Sequence, residues 1–420
     1  MSAYSLSALG ALVALGVSSL ACADQVLSSR SLSPNGRPVQ EIRFGEEPGG
    51  NNLRVVIVTN GPTAGTTTLL TGVGAPHLWY DPSQQAPTFT DVIASGTVFS
   101  LGGGCRRGNQ LDFPFINGNR PQIMRVQNGQ ATVFPLPITD NLLYDSAECA
   151  VSPDFLETWF IYSNRNTNRL SVFVDDGGPN DLVVPITNFP SVKTPFQGGI
   201  RPQISPYPGE PRVMSLLFME TDGETRWKKF STNPFNVDFD CLTGAQVPPP
   251  TGFTIPRGAR VAGNSVIGDF NDDGQLEFAF IDTTTPGACA TSPVYTPAGP
   301  VAGTGYNWTE PGAAVSAERR FIAFVYGQLL SRQAGSQPTF APGPGPGSGG
   351  PFDACGLFTV EQDDVLITAV AEALNNFRFS QYWKFPPPPP PPGRDEVFRS
   401  SMENPGVALT LLCSELGLSQ

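Results

Sequence analysis

The sequence predicts an all-β chain, a β-propeller of about six blades with a short helical C-terminal extension, and three observations carry the propeller. First, 45 Gly and 43 Pro among 420 residues exceed the share of an average globular chain and demand many turns and short strands. Second, short apolar or alternating runs recur between turn residues from about residue 50 to residue 336. Third, the mid-run residues Ile57, Phe115, Phe160, Leu216, Ala279 and Ala323 stand 44 to 63 residues apart, near the ~40–50 residues of a propeller blade. Radial repetition also removes most exposed sheet edges from so large a β chain. A set of β-sandwich domains is the alternative these runs leave open.

Individual hairpins follow from turn chemistry. The runs 123–126 and 131–134 flank Asn128-Gly129, two residues that tolerate the positive φ of a type I′ turn. Residues 159–162 pair with 170–174 across a polar turn, and 213–219 with 225–230 across Asp222-Gly223. The propeller is expected over residues 24–336, followed by a Pro/Gly-rich linker at 337–351. Beyond it the period changes. Val365, Ala369, Ala373 and Phe377, with Leu366, Val370 and Leu374, fall on one helical face. Asp363 and Asp364 stand near the N-terminal end of that stretch, where a helix dipole favours them. Residues 352–420 are therefore expected as a helical segment, with a polyproline spacer at 386–392.

The compartment is legible at the N-terminus. Residues 1–23 carry no charged side chain and hold an apolar run ending in Ala21-Cys22-Ala23, which reads as a signal peptide. The run is short and Ser-interrupted against the ~20 apolar residues of a membrane span, and no later segment is apolar enough to be one. The mature chain is expected to be secreted, periplasmic or at the cell surface, with no transmembrane segment. Six cysteines follow the leader: Cys105, Cys149, Cys241, Cys289, Cys355 and Cys413. Their wide spacing disfavours zinc ribbons and Cys-x-x-Cys redox sites. Disulfides are expected, with neighbour pairing of 105 with 149, 241 with 289 and 355 with 413 chosen among the possible connectivities.

Charge excludes one class of partner. A net charge of −12 with no basic run leaves no electrostatic footprint for nucleic acid. One His in the chain removes most metal-hydrolase and triad chemistries. His77 beside Asp81 could act as a base, but is more simply structural. Gly102-Gly103-Gly104 lacks the Lys and Ser/Thr of a phosphate loop and reads as a turn. Asp238 and Asp240 suit either a carboxylate pair or a solvated strand face. Asp175-Asp176-Gly177 reads as an acidic turn.

One segment carries specific chemistry. In residues 268–277, Asp269, Asn271, Asp273, Gln275 and Glu277 place oxygen donors at alternate positions, with Gly274 at the sharp turn. A calcium ion takes about 6–8 oxygens, and a tightly curled loop aims every second residue at one point. An EF-hand is rejected, because its twelfth position is Phe280 and the following run is too short and aromatic for an exiting helix. The loop belongs between strands, and one structural Ca2+ site is expected. The alternative is an Asx-rich turn without an ion.

The segment Val266-Ile267-Gly268-Asp269-Phe270-Asn271-Asp272-Asp273-Gly274 and the strand after it resemble an FG-GAP or VCBS-type repeat. That resemblance implies calcium-bearing blades of integrin-like propellers in extracellular adhesion and carbohydrate-associated proteins. Glu277 departs from the usual Asp, and no second complete copy exists. The function expected is a binding or adhesion module for an extracellular protein or carbohydrate. A carboxylate-driven glycosidase or lyase on the same scaffold, or a structural envelope component, remains as an alternative.

Overall fold

The computed structural model describes residues 28–49, 52–136, 143–177, 182–185, 191–197, 201–206, 213–221 and 225–231, and then the strands between 260 and 385. β1 is Ser28–Leu32. The first sheet holds β2 (Val39–Glu46), β3 (Leu53–Asn60), β4 (Thr67–Gly74), helix α1 (Pro76–Tyr80) on a connection, and β5 (Phe89–Gly96). The second holds β6 (Val98–Phe99), β7 (Cys105–Arg107), β8 (Gln110–Asn117), β9 (Arg120–Gln127) and β10 (Gln130–Pro135). The third holds β11 (Tyr144–Val151), β12 (Thr158–Asn164), β13 (Arg169–Asp175) and β14 (Leu182–Pro185).

The fourth sheet holds β15 (Gln203–Pro206), β16 (Val213–Met219) and β17 (Thr225–Ser231). The fifth holds β18 (Arg260–Ala262), β19 (Ser265–Gly268) and β20 (Glu277–Phe280). The sixth holds β21 (Gly312–Val315), β22 (Phe321–Tyr326) and β23 (Gln328–Gln333). The seventh holds β24 (Asp353–Val360), β25 (Asp363–Ala373) and β26 (Asn376–Phe385), with β1 paired to β26.

These sheets form a ring. The inner strands β2, β7, β11, β15, β18, β21 and β24 of the successive sheets each approach the next, and β24 returns to β2. Closure is completed by the chain ends, since Ser28 to Leu32 run antiparallel to Gln381 to Phe377. Ser28 Oγ also donates to the Tyr80 carbonyl at 3.0 Å, which ties the N-terminal strand to α1 of the first sheet. A closed ring rules out separate sandwiches.

Period-2 side-chain alternation explains why the strands read as unbroken apolar runs. Along β3, Val55 and Ile57 join Trp79 and Ala369 between the seventh and first sheets. Val56 and Val58 turn the other way and join Phe113, Phe115 and Met124 against the second sheet. In β12, Trp159 and Ile161 pack with Leu216 and Phe218 of the fourth sheet, whereas Phe160 and Tyr162 pack with Ile116 and Ile123 of the second. Both faces of an inner sheet are dry, so both sets must be apolar.

Two expectations are corrected. The described strands make seven sheets, not about six; the six mid-run residues fall in the first six sheets, one in each. The seventh comes from the stretch expected to be helical. Residues 365–371 are apolar at almost every position, so helical and strand periods both fit, and Val, Ile and Thr favour the extended form. β25 is then flanked on both sides by β24 and β26. The leader at 1–23, the 337–351 segment and residues 386–420 lie outside the described residues. No described helix is long and apolar enough to cross a membrane.

Candidate functional site

The loop expected to hold calcium can be placed by its base. β19 and β20 pair antiparallel and their last pair is Gly268 with Glu277. Residues 269–276 therefore fall between two paired strands, where the sequence placed the loop. Asp269, Asn271, Asp273 and Gln275 themselves lie outside the described residues, and Glu277 begins β20. The described register therefore reaches the base of the loop, the Gly268–Glu277 pair, and stops there. Three carboxylates, an amide oxygen and a Gln carbonyl form an all-oxygen set suited to a hard cation. Among the described residues no group of three or more His, Cys, Asp or Glu could hold a metal ion.

At the centre of the ring a second polar arrangement appears. The inner strand of the second sheet is broken between β6 and β7, and residues 100–104 are wedged among the inner strands. Ser100 and Leu101 donate their amides to the two carboxylate oxygens of Glu41, each at 2.7 Å. Gly103 donates to Glu148 Oε1 at 2.7 Å, and Arg201 donates to the Leu101 carbonyl at 3.0 Å. Leu101 is fully buried. The glycines are required by close approach: a Cβ on Gly104 would stand 2.6 Å from the Phe44 carbonyl oxygen, and one on Gly102 2.7 Å from Pro114 Cγ. The triple glycine is thus an inserted strand break rather than a free turn.

Two carboxylates also meet between the second and third sheets. Arg125 binds Asp112 through Nε at 2.7 Å and also pairs with Asp175, which pairs in turn with Arg107. Gln110 Nε2 bridges both carboxylates at 3.0 and 3.2 Å. Burial pushes the Asp112 carboxyl above its ordinary value against the pull of Arg125. Burial acts the same way on Asp175, but Arg125, Arg107 and the Gly177 amide outweigh it and hold that carboxyl below its ordinary value. Both side chains are almost wholly buried, so the pair is a strut between sheets with no room for a substrate. Asp175 ends β13 inside this strut, and its carboxylate also accepts the Gly177 amide at 2.8 Å, in the acidic turn the sequence suggested.

The remaining candidates separate cleanly. His77 is exposed on α1, and its carbonyl accepts the Asp81 amide. The Asp81 carboxylate instead holds the Ser83 hydroxyl and amide at 2.7 and 2.8 Å. Asp238 and Asp240 lie outside the described residues. Cys105 and Cys149 form the expected disulfide with a Cα–Cα distance of 6.2 Å, inside the usual range, and it joins β7 to β11. Cys241, Cys289 and Cys413 lie outside the described residues, as does the side chain of Cys355. Glu41, Glu148 and Arg201 were not singled out in the sequence. Their only signal is a charge inside or beside a strand run.

A closed ring of antiparallel meanders with its first strands at the centre defines the class of protein: a β-propeller. No family model matches the chain, and no curated protein matches it. Among solved structures, the chain is similar to a mutant of AofleA from Arthrobotrys oligospora, at 10% identity over 84% of this chain and 86% of that one, with a TM-score of 0.45. It is also similar to the β-propeller domain of Cps50 (Swd1) from Myceliophteria thermophila, at 10% identity, 84% and 98% coverage and a TM-score of 0.46. A Trypanosoma rangeli sialidase in complex with the inhibitor DANA matches at 8% identity, covering 91% of this chain and 60% of that one, with a TM-score of 0.47. The propeller assignment rests on the ring and its closure.

Proposed function

We propose that this chain is an exported calcium-binding β-propeller that serves as a binding or adhesion module for an extracellular ligand. The observation that carries the reading is the pairing of Gly268 with Glu277, which closes the base of the donor loop. The Cys105–Cys149 bridge supports export, because such bonds persist in oxidising compartments. The engagement of two inner carboxylates supports binding over carboxylate-driven hydrolysis. Glu41 and Glu148, the carboxylates hydrogen-bonded to the wedge, are engaged by backbone amides and hold residues 100–103 in place.

The test is thermal unfolding of the mature chain with calcium and with chelator. Three carboxylates in one turn repel each other without the cation, so calcium should raise stability by about 2.7 kcal/mol at 100 times its dissociation constant. Asp269→Ala with Asp273→Ala should abolish that response and leave the ring folded. An unchanged melting temperature with chelator, and no heat of binding at millimolar calcium, would reduce the loop to an Asx-rich turn.

A further inference from the structure

Phe196 stands out on the third sheet's side of the ring. It is 70% exposed, the largest exposure among the exposed large apolar side chains of the described residues. It is also held rigidly. The Phe196 amide donates to Asp145 Oδ2 at 3.0 Å, the Gln197 amide returns to the Thr194 carbonyl at 2.9 Å, and Gln197 Nε2 reaches Asn168 Oδ1 at 2.6 Å. The Arg165 guanidinium lies over the ring at 4.5 Å from its centroid. Arg165 comes from the turn between β12 and β13, and its only other side-chain partner among the described residues is Asn119 Oδ1 at 3.4 Å. In a chain of net charge −12, this guanidinium has no carboxylate partner among the described residues.

A second observation comes from the segments that deliver these two side chains. Asn164, immediately before Arg165, has a buried Nδ2 with no hydrogen-bond partner, and Thr194, two residues before Phe196, has a buried Oγ1 with none. Both atoms are closed to solvent, so the polar groups these segments can offer a ligand are their exposed ones. Asn166 and Thr167 beside Arg165 are exposed, and the Asp145 carboxylate is taken up by the Phe196 amide and the Ser163 hydroxyl.

We infer that Phe196 and Arg165 form a ligand platform for a carboxylated saccharide such as a uronate oligosaccharide. The open face of the ring suits the C–H face of a sugar, the guanidinium answers its carboxylate in fork geometry, and the exposed Asn166 and Thr167 answer its hydroxyls. An acidic peptide fits less well, because the other exposed large apolar side chains among the described residues, Val73, Phe155 and Leu156, belong to other turns and strands. The inference rests on the reading of the chain as a binding module, and not on the calcium loop.

The experiment is calorimetric titration of the mature chain, in calcium-containing buffer, with tetrasaccharides of galacturonate, glucuronate and mannuronate, with a neutral glucose tetrasaccharide and with hexaglutamate. At least one uronate should bind, with the neutral sugar and the peptide tenfold or more weaker. Arg165→Ala and Phe196→Ala should each weaken that binding at least tenfold at unchanged melting temperature, and Arg165→Lys should fall between. Asp269→Ala with Asp273→Ala should leave uronate binding intact, which separates this site from the calcium loop. No binding of any uronate, equal binding of hexaglutamate, or binding undiminished in the two alanine variants would overturn the inference.

Discussion

Arg201 donates to Glu41 Oε2 at 3.1 Å although 160 residues separate them. Glu41 lies in the first sheet and Arg201 leads into the fourth, so the pair spans the inside of the ring. Around it Glu41 also receives two backbone amides from the second sheet. One half-buried carboxylate thus gathers three sheets at the axis.

That arrangement predicts strong coupling. Arg201→Ala removes a charge partner and the donor to the Leu101 carbonyl, whereas Glu41→Gln turns an amide group toward backbone N–H donors. Each should destabilise the ring in urea unfolding. The double variant should cost less than the two single effects together, with a coupling of about 0.5–3 kcal/mol. Additive costs would show that the two side chains act independently.

The strut between the second and third sheets predicts a pH signature. Arg125→Met leaves Asp112 and Asp175 buried without their shared cation and should cost about 3 kcal/mol at neutral pH. Asp175 is held below its ordinary value, so its contribution is present above about pH 4 and fades as the pH falls through its folded value. Asp112 is raised, so its contribution is complete below about pH 4 and is lost as the pH rises through its folded value. The cost of Asp175→Asn should therefore shrink on acidification, and that of Asp112→Asn should shrink as the pH rises. Stability against pH for the two variants checks the opposite slopes.

The bridge between β7 and β11 predicts a redox-dependent melting temperature. Replacing Cys105 and Cys149 by Ala should lower stability by about 2–4 kcal/mol, and reductant should lower the wild type but not shift the variant through this bond. Thiol titration of the denatured, unreduced chain tests the whole cysteine expectation, since full pairing leaves no free thiol.

Gly104→Ala tests the wedge at the centre. The added methyl would meet the Phe44 carbonyl oxygen at 2.6 Å and Gly45 Cα at 2.8 Å, backbone atoms that can yield only by moving an inner strand. A loss of about 1–3 kcal/mol is expected in chemical denaturation. Gly108→Ala is the control for positive φ alone, because nothing lies within 4 Å of its added methyl.

Local chemistry made much of the fold legible. Asn128 and Gly129 both adopt the positive φ, 51° and 75°, that their sequence demanded. The doubly apolar runs at 55–58 and 159–162 became strands buried on both faces. What failed was the stretch at 363–373, where near-continuous apolarity hid the period. The alternation Phe377-Arg378-Phe379-Ser380 in β26 was the better signal there. The polar centre was not legible, because Glu41, Glu148 and Arg201 acquire their roles only when distant sheets meet. The same holds for Arg165 and Phe196, which come from separate connections.

Pairing of β1 with β26 has a consequence for synthesis. Ser28 leaves the ribosome early, yet its partner Gln381 follows more than 350 residues later. Throughout that interval the growing chain is an open arc with raw edges at both ends, exposed to neighbours and proteases. A message cut short before residue 353 would therefore yield a chain without its keystone, not a propeller lacking a dispensable tail.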